Sequence, residues 1–248
     1  MLMFSYILSV IYDGSDYYGW ECDNQFPSVR QQISQVIRKV FQCEFVIKAA
    51  SRTDRRVHGY DQKMKLSLPF YLEPNRVIYI LNNRLPSDIR IKDCIKINND
   101  FNIRQSCKWK IYQYKINCGK YDVFQQRYVY QYNKPLNVKK LQKIANIFIG
   151  KHDFTNFSAL LSNEAINRIR TIDKIAISIN KDILIFSFKA VSFLRHQIRI
   201  IVGSILACYE NKIDLISLKN KLNRVEDSKS NFKSIGNGLH LVEIKLLI

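Results

Sequence analysis

The sequence predicts an α+β fold: two ferredoxin-like (split βαβ) halves whose strands make a continuous antiparallel sheet flanked by helices, with a basic cleft at its centre. The basis is a repeated order. Each half reads strand, helix, strand, strand, helix, strand, with strands marked by period-two alternation and helices by apolar residues three and four apart. The repeat is one of element order and not of residues. No Pro/Gly/Ser-rich linker interrupts the chain, so the halves, 1–105 and 106–248, are expected to pack closely.

In the first half, residues 3–12 alternate as a strand, closed by the turn-forming Asp13-Gly14-Ser15. Ser28 is placed to cap a helix in which Val29, Ile33, Val36, Ile37 and Val40 recur at helical spacing. Residues 44–50 are short and apolar and 62–68 alternate, so both read as strands. Pro74 opens a helix that runs to Leu85, and 89–97 close the half as a strand. In the second half, 108–118 is a strand. Asn137 caps a helix carrying Val138, Leu141, Ile144 and Phe148, stopped by Gly150. Strands over 169–179 and 182–191 flank a hairpin turn at Asn180-Lys181. An apolar helix covers Phe193 to Tyr209, a shorter one carries Leu215, Leu218 and Leu222, and 238–247 is the final strand.

Of 248 residues, 39 are Lys or Arg and 21 are Asp or Glu, a net charge of +18. An excess of that size favours a polyanionic partner, nucleic acid or an acidic membrane surface, although compositional drift toward Lys, Ile and Asn also produces it. No run of uncharged apolar residues is long enough to span a bilayer. The apolar start lacks the basic lead and small-residue cleavage site of a secretory signal, so the expected compartment is the cytoplasm. The six cysteines are scattered without a CxxC pair, and none of the four histidines has a partner three or four residues on. Neither a disulfide frame nor a metal site is expected. GxGxxG, GxxxxGK[ST] and GxSxG do not occur, which removes the usual nucleotide-cofactor signatures and the serine-hydrolase elbow. Any chemistry is expected to rest on side chains alone.

The stretch AASRTDRRVHG, residues 49–59, sets one acid, Asp54, among Arg52, Arg55 and Arg56. Cationic neighbours favour the charged form of a carboxylate, and a positioned carboxylate serves as nucleophile or base. Taken alone, the stretch fits a surface turn, whose aspartate bonds its own backbone, somewhat better. In WKIYQYKI, residues 109–116, Tyr112 and Tyr114 share a strand face with Lys110 and Lys115 nearby. That mixture suits stacking on bases and holding phosphates, although core packing is the simpler account of Tyr114. In AVSFLRHQIRIIVGSILACYE, residues 190–210, Arg195 and Arg199 stand four apart, on one face of the expected helix. They are either an exposed stripe or cations in need of a buried acid, for which Asp54 is the obvious candidate.

Taken with YDGSDYYGW (12–20), FNIRQSCKWKIYQYKI (101–116), GKHDFTNFS (150–158), IRTI (169–172) and GNGLHLVEI (236–244), these stretches resemble, in order and over nearly the whole chain, the TruA-type tRNA pseudouridine synthases. SRTDRRVHG, residues 51–59, stands where that family has a motif close to GRTDxGVHA. The resemblance implies that Asp54 is the catalytic carboxylate, that Arg199 pairs with it, and that Tyr112 stacks on the extruded uracil. It further implies that Arg52 contacts the RNA and holds the target nucleotide out of its stack, that Leu239 walls the pocket, and that Arg104 and Arg170 touch tRNA. It carries a homodimer, no cofactor, and uridines of the tRNA anticodon stem-loop, commonly positions 38 to 40, as substrate.

The chain departs from the family pattern where the small pair after the aspartate is Arg55-Arg56, which either adds phosphate contacts to the RNA-binding set or deforms the loop. The competing expectation is accordingly a non-catalytic tRNA-binding or tRNA-folding relative. Retention of Asp54, Tyr112 and Arg199 favours the enzyme.

Overall fold

A computed structural model describes residues 3–22, 25–160 and 164–248. The elements run β1 (Phe4–Tyr12), α1 (Val29–Phe41), β2 (Val46–Ala49), β3 (His58–Leu68), α2 (Pro74–Asn82) and β4 (Ile89–Ile97), then β5 (Cys107–Asn117), β6 (Tyr130–Gln131), α3 (Val138–Ala145), β7 (Gly150–Asp153), β8 (Ile169–Asn180), β9 (Ile183–Ala190), α4 (Gln197–Tyr209), α5 (Leu215–Leu222) and β10 (Leu239–Leu246). Met1–Lys108 with His240–Ile248 form one unit and Trp109–Leu239 another. The closing strand, placed by chain order with the second half, thus has all but its first residue in the first unit, where His240 and Leu241 run parallel to His58 and Gly59 of β3.

In the first unit β1 is antiparallel to β4 on one side and to β3 on the other, and β2 is antiparallel to β3, giving the order β4-β1-β3-β2. Period two decides which side chains face the helices. Tyr6, Leu8 and Val10 join Ile33 and Ile37 of α1 and Val77 and Leu81 of α2 in one core. The intervening Ser5 and Ser9 point the other way, where Ser5 Oγ lies 2.8 Å from Ser67 Oγ and Lys63 Nζ donates to Ser9 Oγ at 2.6 Å. Helix α1 begins as its sequence requires: Ser28 Oγ accepts from Gln31 N, and Gln42 ends the helix at φ 47°.

In the second unit β5 and β9 are antiparallel, β9 and β8 form a hairpin, β7 is antiparallel to β8, and β6 is a short parallel partner of β5. Both units are therefore mostly antiparallel sheet with helices packed on it. Asn137 caps α3 by accepting from Lys140 N at 2.9 Å.

Several boundaries differ from those the sequence predicts. Strand β3 starts at His58, not at 62, so the segment carrying Asp54 is the connection between two paired strands. The β8–β9 turn is Lys181-Asp182, with Asn180 still paired to Ile183 and Lys181 taking φ 52°. Short β6 and β7 carry too few residues for periodicity to mark them. Helix α4 starts at Gln197, not Phe193. Its entry is a turn in which Leu194 N donates to Gln197 Oε1 at 2.7 Å, Gln197 N donates to Leu194 O at 3.1 Å, and His196 takes φ 61°. Arg195 therefore precedes the helix and does not share a helical face with Arg199.

Removing the α1 cap with Ser28→Ala is expected to lower stability by about 1 kcal/mol, read as an earlier urea midpoint at unchanged slope.

Candidate active site

The Asp54 segment is held through its backbone. Val57 N donates to Asp54 O at 3.1 Å, closing a turn around Arg55 and Arg56. The first turn of the chain braces it: Arg56 N donates to Tyr17 O and Trp20 N to Thr53 O, both at 3.1 Å. Two glycines make that approach possible. A Cβ on Gly14 would sit 2.0 Å from Val57 O, and one on Gly19 would sit 2.3 Å from Thr53 O. Gly19 also has φ +96°, a conformation open mainly to glycine. Tyr12 Oη and Thr53 Oγ1 lie 2.8 Å apart in a buried contact, and Gln62 Nε2 donates to Ser51 O at 2.8 Å. Thr53, Val57 and His58 are buried, while the Asp54 side chain between them is half-exposed. The sequence folds this segment so that a half-exposed carboxylate stands in a loop whose backbone is anchored on both sides.

His58, the first residue of β3, ties that loop back. Its Nδ1 lies 3.2 Å from Gly14 N, which donates to it, and 3.1 Å from Asp13 Oδ1. Its ring stacks on His240 of β10 with centroids 4.8 Å apart.

The arginines around Asp54 have separate anchors. Arg52 Nε lies 2.8 Å from Glu21 Oε2, and Arg30 reaches the other oxygen of the same carboxylate. The Arg52 side chain is 68% exposed, so this pair orients the guanidinium without taking it from solvent. The Arg55 guanidinium lies over the Tyr18 ring, 4.2 Å from its centroid. Arg56 is exposed and takes φ 62°, at the position where the resembled family has glycine. The turn is thus left-handed with an arginine in it. Arg104 Nε donates to Ala49 O at 3.4 Å, just before the loop.

In the second unit, Tyr112 lies on β5 opposite Phe188 and meets the Phe193 ring edge-on, centroids 5.4 Å apart. Arg199 Nε donates to Ser234 O at 2.9 Å and Ser234 N donates to Arg199 O at 3.0 Å, a reciprocal pair that fixes α4 to the segment before β10. Tyr114 is fully buried, and its hydroxyl donates to Ile235 O at 2.9 Å. Burial pushes the Tyr114 phenol up, with Ser234 and Arg199 opposing. Lys115 N donates to Gly238 O at 2.8 Å, which delivers Leu239, itself buried, beside β5. Arg170 pairs with His152 across β7 and β8 and donates through Nη1 to Asn167 O and Ile169 O at 2.7 Å. Burial pulls its guanidinium down from the usual range. Asp54, Arg52, Arg55, Arg56 and Arg104 thus belong to the first unit, and Tyr112, Arg199, Leu239 and Arg170 to the second.

Among the described residues, no group of three or more His, Cys, Asp or Glu side chains is placed to hold a metal ion, and no helix is long and apolar enough to cross a membrane.

Residues 144–245 match the family model described as tRNA pseudouridine synthase. The chain is 34% identical to tRNA pseudouridine synthase A of Mesoplasma florum over 98% of both chains. The chain belongs to the tRNA pseudouridine synthase family. It is also 36% identical to the Spiroplasma kunkelii tRNA pseudouridine synthase A, over 88% of this chain and 84% of that one. With tRNA pseudouridine synthase A 1 of Bacillus cereus it shares 33% over 95% and 96%. The alignments with these synthases extend well beyond the matched 144–245.

Within this synthase scaffold, sequence reasoning passed over Glu21, Tyr18 and Ser234, which orient Arg52, Arg55 and Arg199. Glu21 was the most findable, since it follows the YDGSDYYGW block directly. Ser234 lies in a segment with no periodicity to place it.

Two substitutions test how the loop is held. Gly19→Ala is expected to destabilise by at least about 2 kcal/mol, because it combines a disfavoured φ with a backbone clash. Arg56→Gly is expected to stabilise by about 0.5–1 kcal/mol, since relief of the left-handed conformation outweighs the added freedom of the unfolded chain. Chemical denaturation of both variants against wild type measures each shift.

Proposed function

We propose that this chain converts uridine to pseudouridine in the anticodon stem-loop of tRNA, at positions 38 to 40, with Asp54 as the catalytic carboxylate. The observation that carries the assignment is the placement of Asp54. It is the half-exposed acid of a loop whose neighbours Thr53 and Val57 are buried and whose backbone is pinned to the first turn. A loop fixed this way holds a reacting group in one geometry, which is what positioned catalysis requires.

The reaction breaks the bond from uracil N1 to the sugar C1′, forms one from C5 to C1′, and moves the C5 proton to N1 through solvent. It is an isomerisation with no net redox change. A carboxylate beside C1′ serves it by stabilising or capturing an electron-poor sugar, as carboxylates do in glycoside chemistry. The target base must leave its stack at a cost of a few kcal/mol, which calls for aromatic and cationic groups to receive it. Tyr112 is assigned to the extruded uracil, Leu239 to the pocket wall and Arg199 to the catalytic set. Arg52, Arg55, Arg56, Arg104 and Arg170 are assigned to the RNA. The net charge of +18 supports these roles through non-specific affinity for phosphate. The split βαβ reading is supported in the first unit by the strand order β4-β1-β3-β2. A homodimer, working in the cytoplasm without a cofactor, completes the proposal.

Incubation with unmodified tRNA followed by pseudouridine mapping tests it. Wild type is expected to modify the anticodon stem-loop, and Asp54→Ala to make no product while binding the same RNA within a few-fold. A wild-type protein that binds tRNA and yields no pseudouridine would leave the non-catalytic reading standing.

A further inference from the structure

Beside the Asp54 loop stands a layered arrangement that the assignments above do not use. The Tyr18 and Phe26 rings are stacked, centroids 4.1 Å apart and 9° from parallel. The Arg55 guanidinium covers Tyr18 at 4.2 Å from its centroid. Groups that close cannot share one ring face, so Tyr18 is sandwiched between Arg55 and Phe26. The frame beneath is backbone. Tyr18 N donates to Pro27 O at 2.8 Å, while Tyr17 O accepts from Arg56 N and Trp20 N donates to Thr53 O. The stack is therefore fixed to both flanks of Asp54. Its outer layers are exposed: Phe26 is 46% exposed, and Arg55 lies on the surface.

An arginine that served only as a phosphate contact would need no ring behind it. Two rings seat this guanidinium, itself a flat cation, and flat cations and rings stack on nucleobases. When the target uridine is extruded, the adjacent base loses its stacking partner. We propose that the Arg55–Tyr18–Phe26 stack is a platform for the nucleobase next to the target uridine, with the Arg55 guanidinium taking the face that the extruded base vacates. The platform rests on RNA carrying an extruded uridine being this chain's substrate. It also gives the arginine after Asp54 a role distinct from charge.

Arg55→Lys separates plane from charge. Binding of an anticodon stem-loop RNA to wild type, Arg55→Lys, Arg55→Ala and Phe26→Ala is measured over a range of salt, with thermal melts confirming that each variant folds. Arg55→Lys is expected to lose about tenfold in affinity, the order of one base stack, with an unchanged salt slope. Arg55→Ala loses at least as much and also lowers the slope by about one. Phe26→Ala weakens binding with no slope change. The same variants are then tested on RNAs abasic on the 5′ or 3′ side of the target. Loss of the Arg55→Lys effect on one abasic RNA identifies the stacked base. Arg55→Lys binding intact RNA like wild type, or losing equally on both abasic RNAs, overturns the platform. Pseudouridine mapping on the same samples keeps the outcomes apart: coupling without product overturns the activity and leaves the platform, and product without coupling does the reverse.

Discussion

The arrangement around Asp54 depends on one close approach, the backbone of the first turn against the backbone of the loop between β2 and β3. Gly14 and Gly19 allow it because neither carries a Cβ where Val57 O and Thr53 O lie. Once the two backbones meet, their hydrogen bonds follow: Trp20 to Thr53, Arg56 to Tyr17, Gly14 to His58. The bond from Trp20 satisfies a carbonyl that burial of Thr53 would otherwise strand. The bonds together set where β3 begins, because His58 enters the strand while its ring is still bound to the first turn. The backbone position of Asp54 is thus fixed by main-chain packing.

The concentration of arginine follows from the same frame. Several cations on a short loop repel one another and would splay it if each were free. Here they are distributed. Arg52 turns to Glu21, which also takes Arg30, Arg55 lies on Tyr18, and Arg104 reaches back to Ala49 O. Glu21 and Tyr18 both flank the Gly19-Trp20 pair, so the segment that braces the backbone also carries the anchors for the cations. The second unit uses a comparable device at Arg199, whose side chain and backbone both bond Ser234. The reciprocal pair sets both the backbone and the Nε edge of this guanidinium.

Much of the architecture was legible because burial writes itself into periodicity. Helix α1 and the start of α3 follow from apolar spacing and from the caps Ser28 and Asn137, although α3 ends at Ala145 and the expected Phe148 lies in a 3-10 turn after it, and β4 matches its expected span residue for residue. What failed to read was local and polar. Residues 193–196 look helical by composition, yet the Gln197 side chain bonds Leu194 N and folds them into a turn, separating Arg195 from Arg199. In the sequence Asp54 is an acid among arginines, for which a surface turn is, taken alone, the simplest account. The partners that organise those arginines are Glu21 and Tyr18, more than thirty residues upstream. Such pairings are set by tertiary folding and leave no local pattern. The grouping of most of β10 with the first unit was invisible for the same reason.

Arg56 shows why a departure from a motif need not undo it. At φ 62° a glycine is the easy choice, and an arginine pays for the position in strain. The turn persists because its shape is enforced from outside: Arg56 N is bonded to Tyr17 O, and Val57 N to Asp54 O. A conformation imposed by neighbours tolerates a residue that would not select it alone, at a cost in stability and not in geometry. Glycine at this position is therefore a convenience for the loop. Glycine at 14 and 19 is a requirement, because there the space itself is occupied by backbone. A disfavoured angle at Arg56 and an occupied volume at Gly14 and Gly19 are thus different constraints on the same loop.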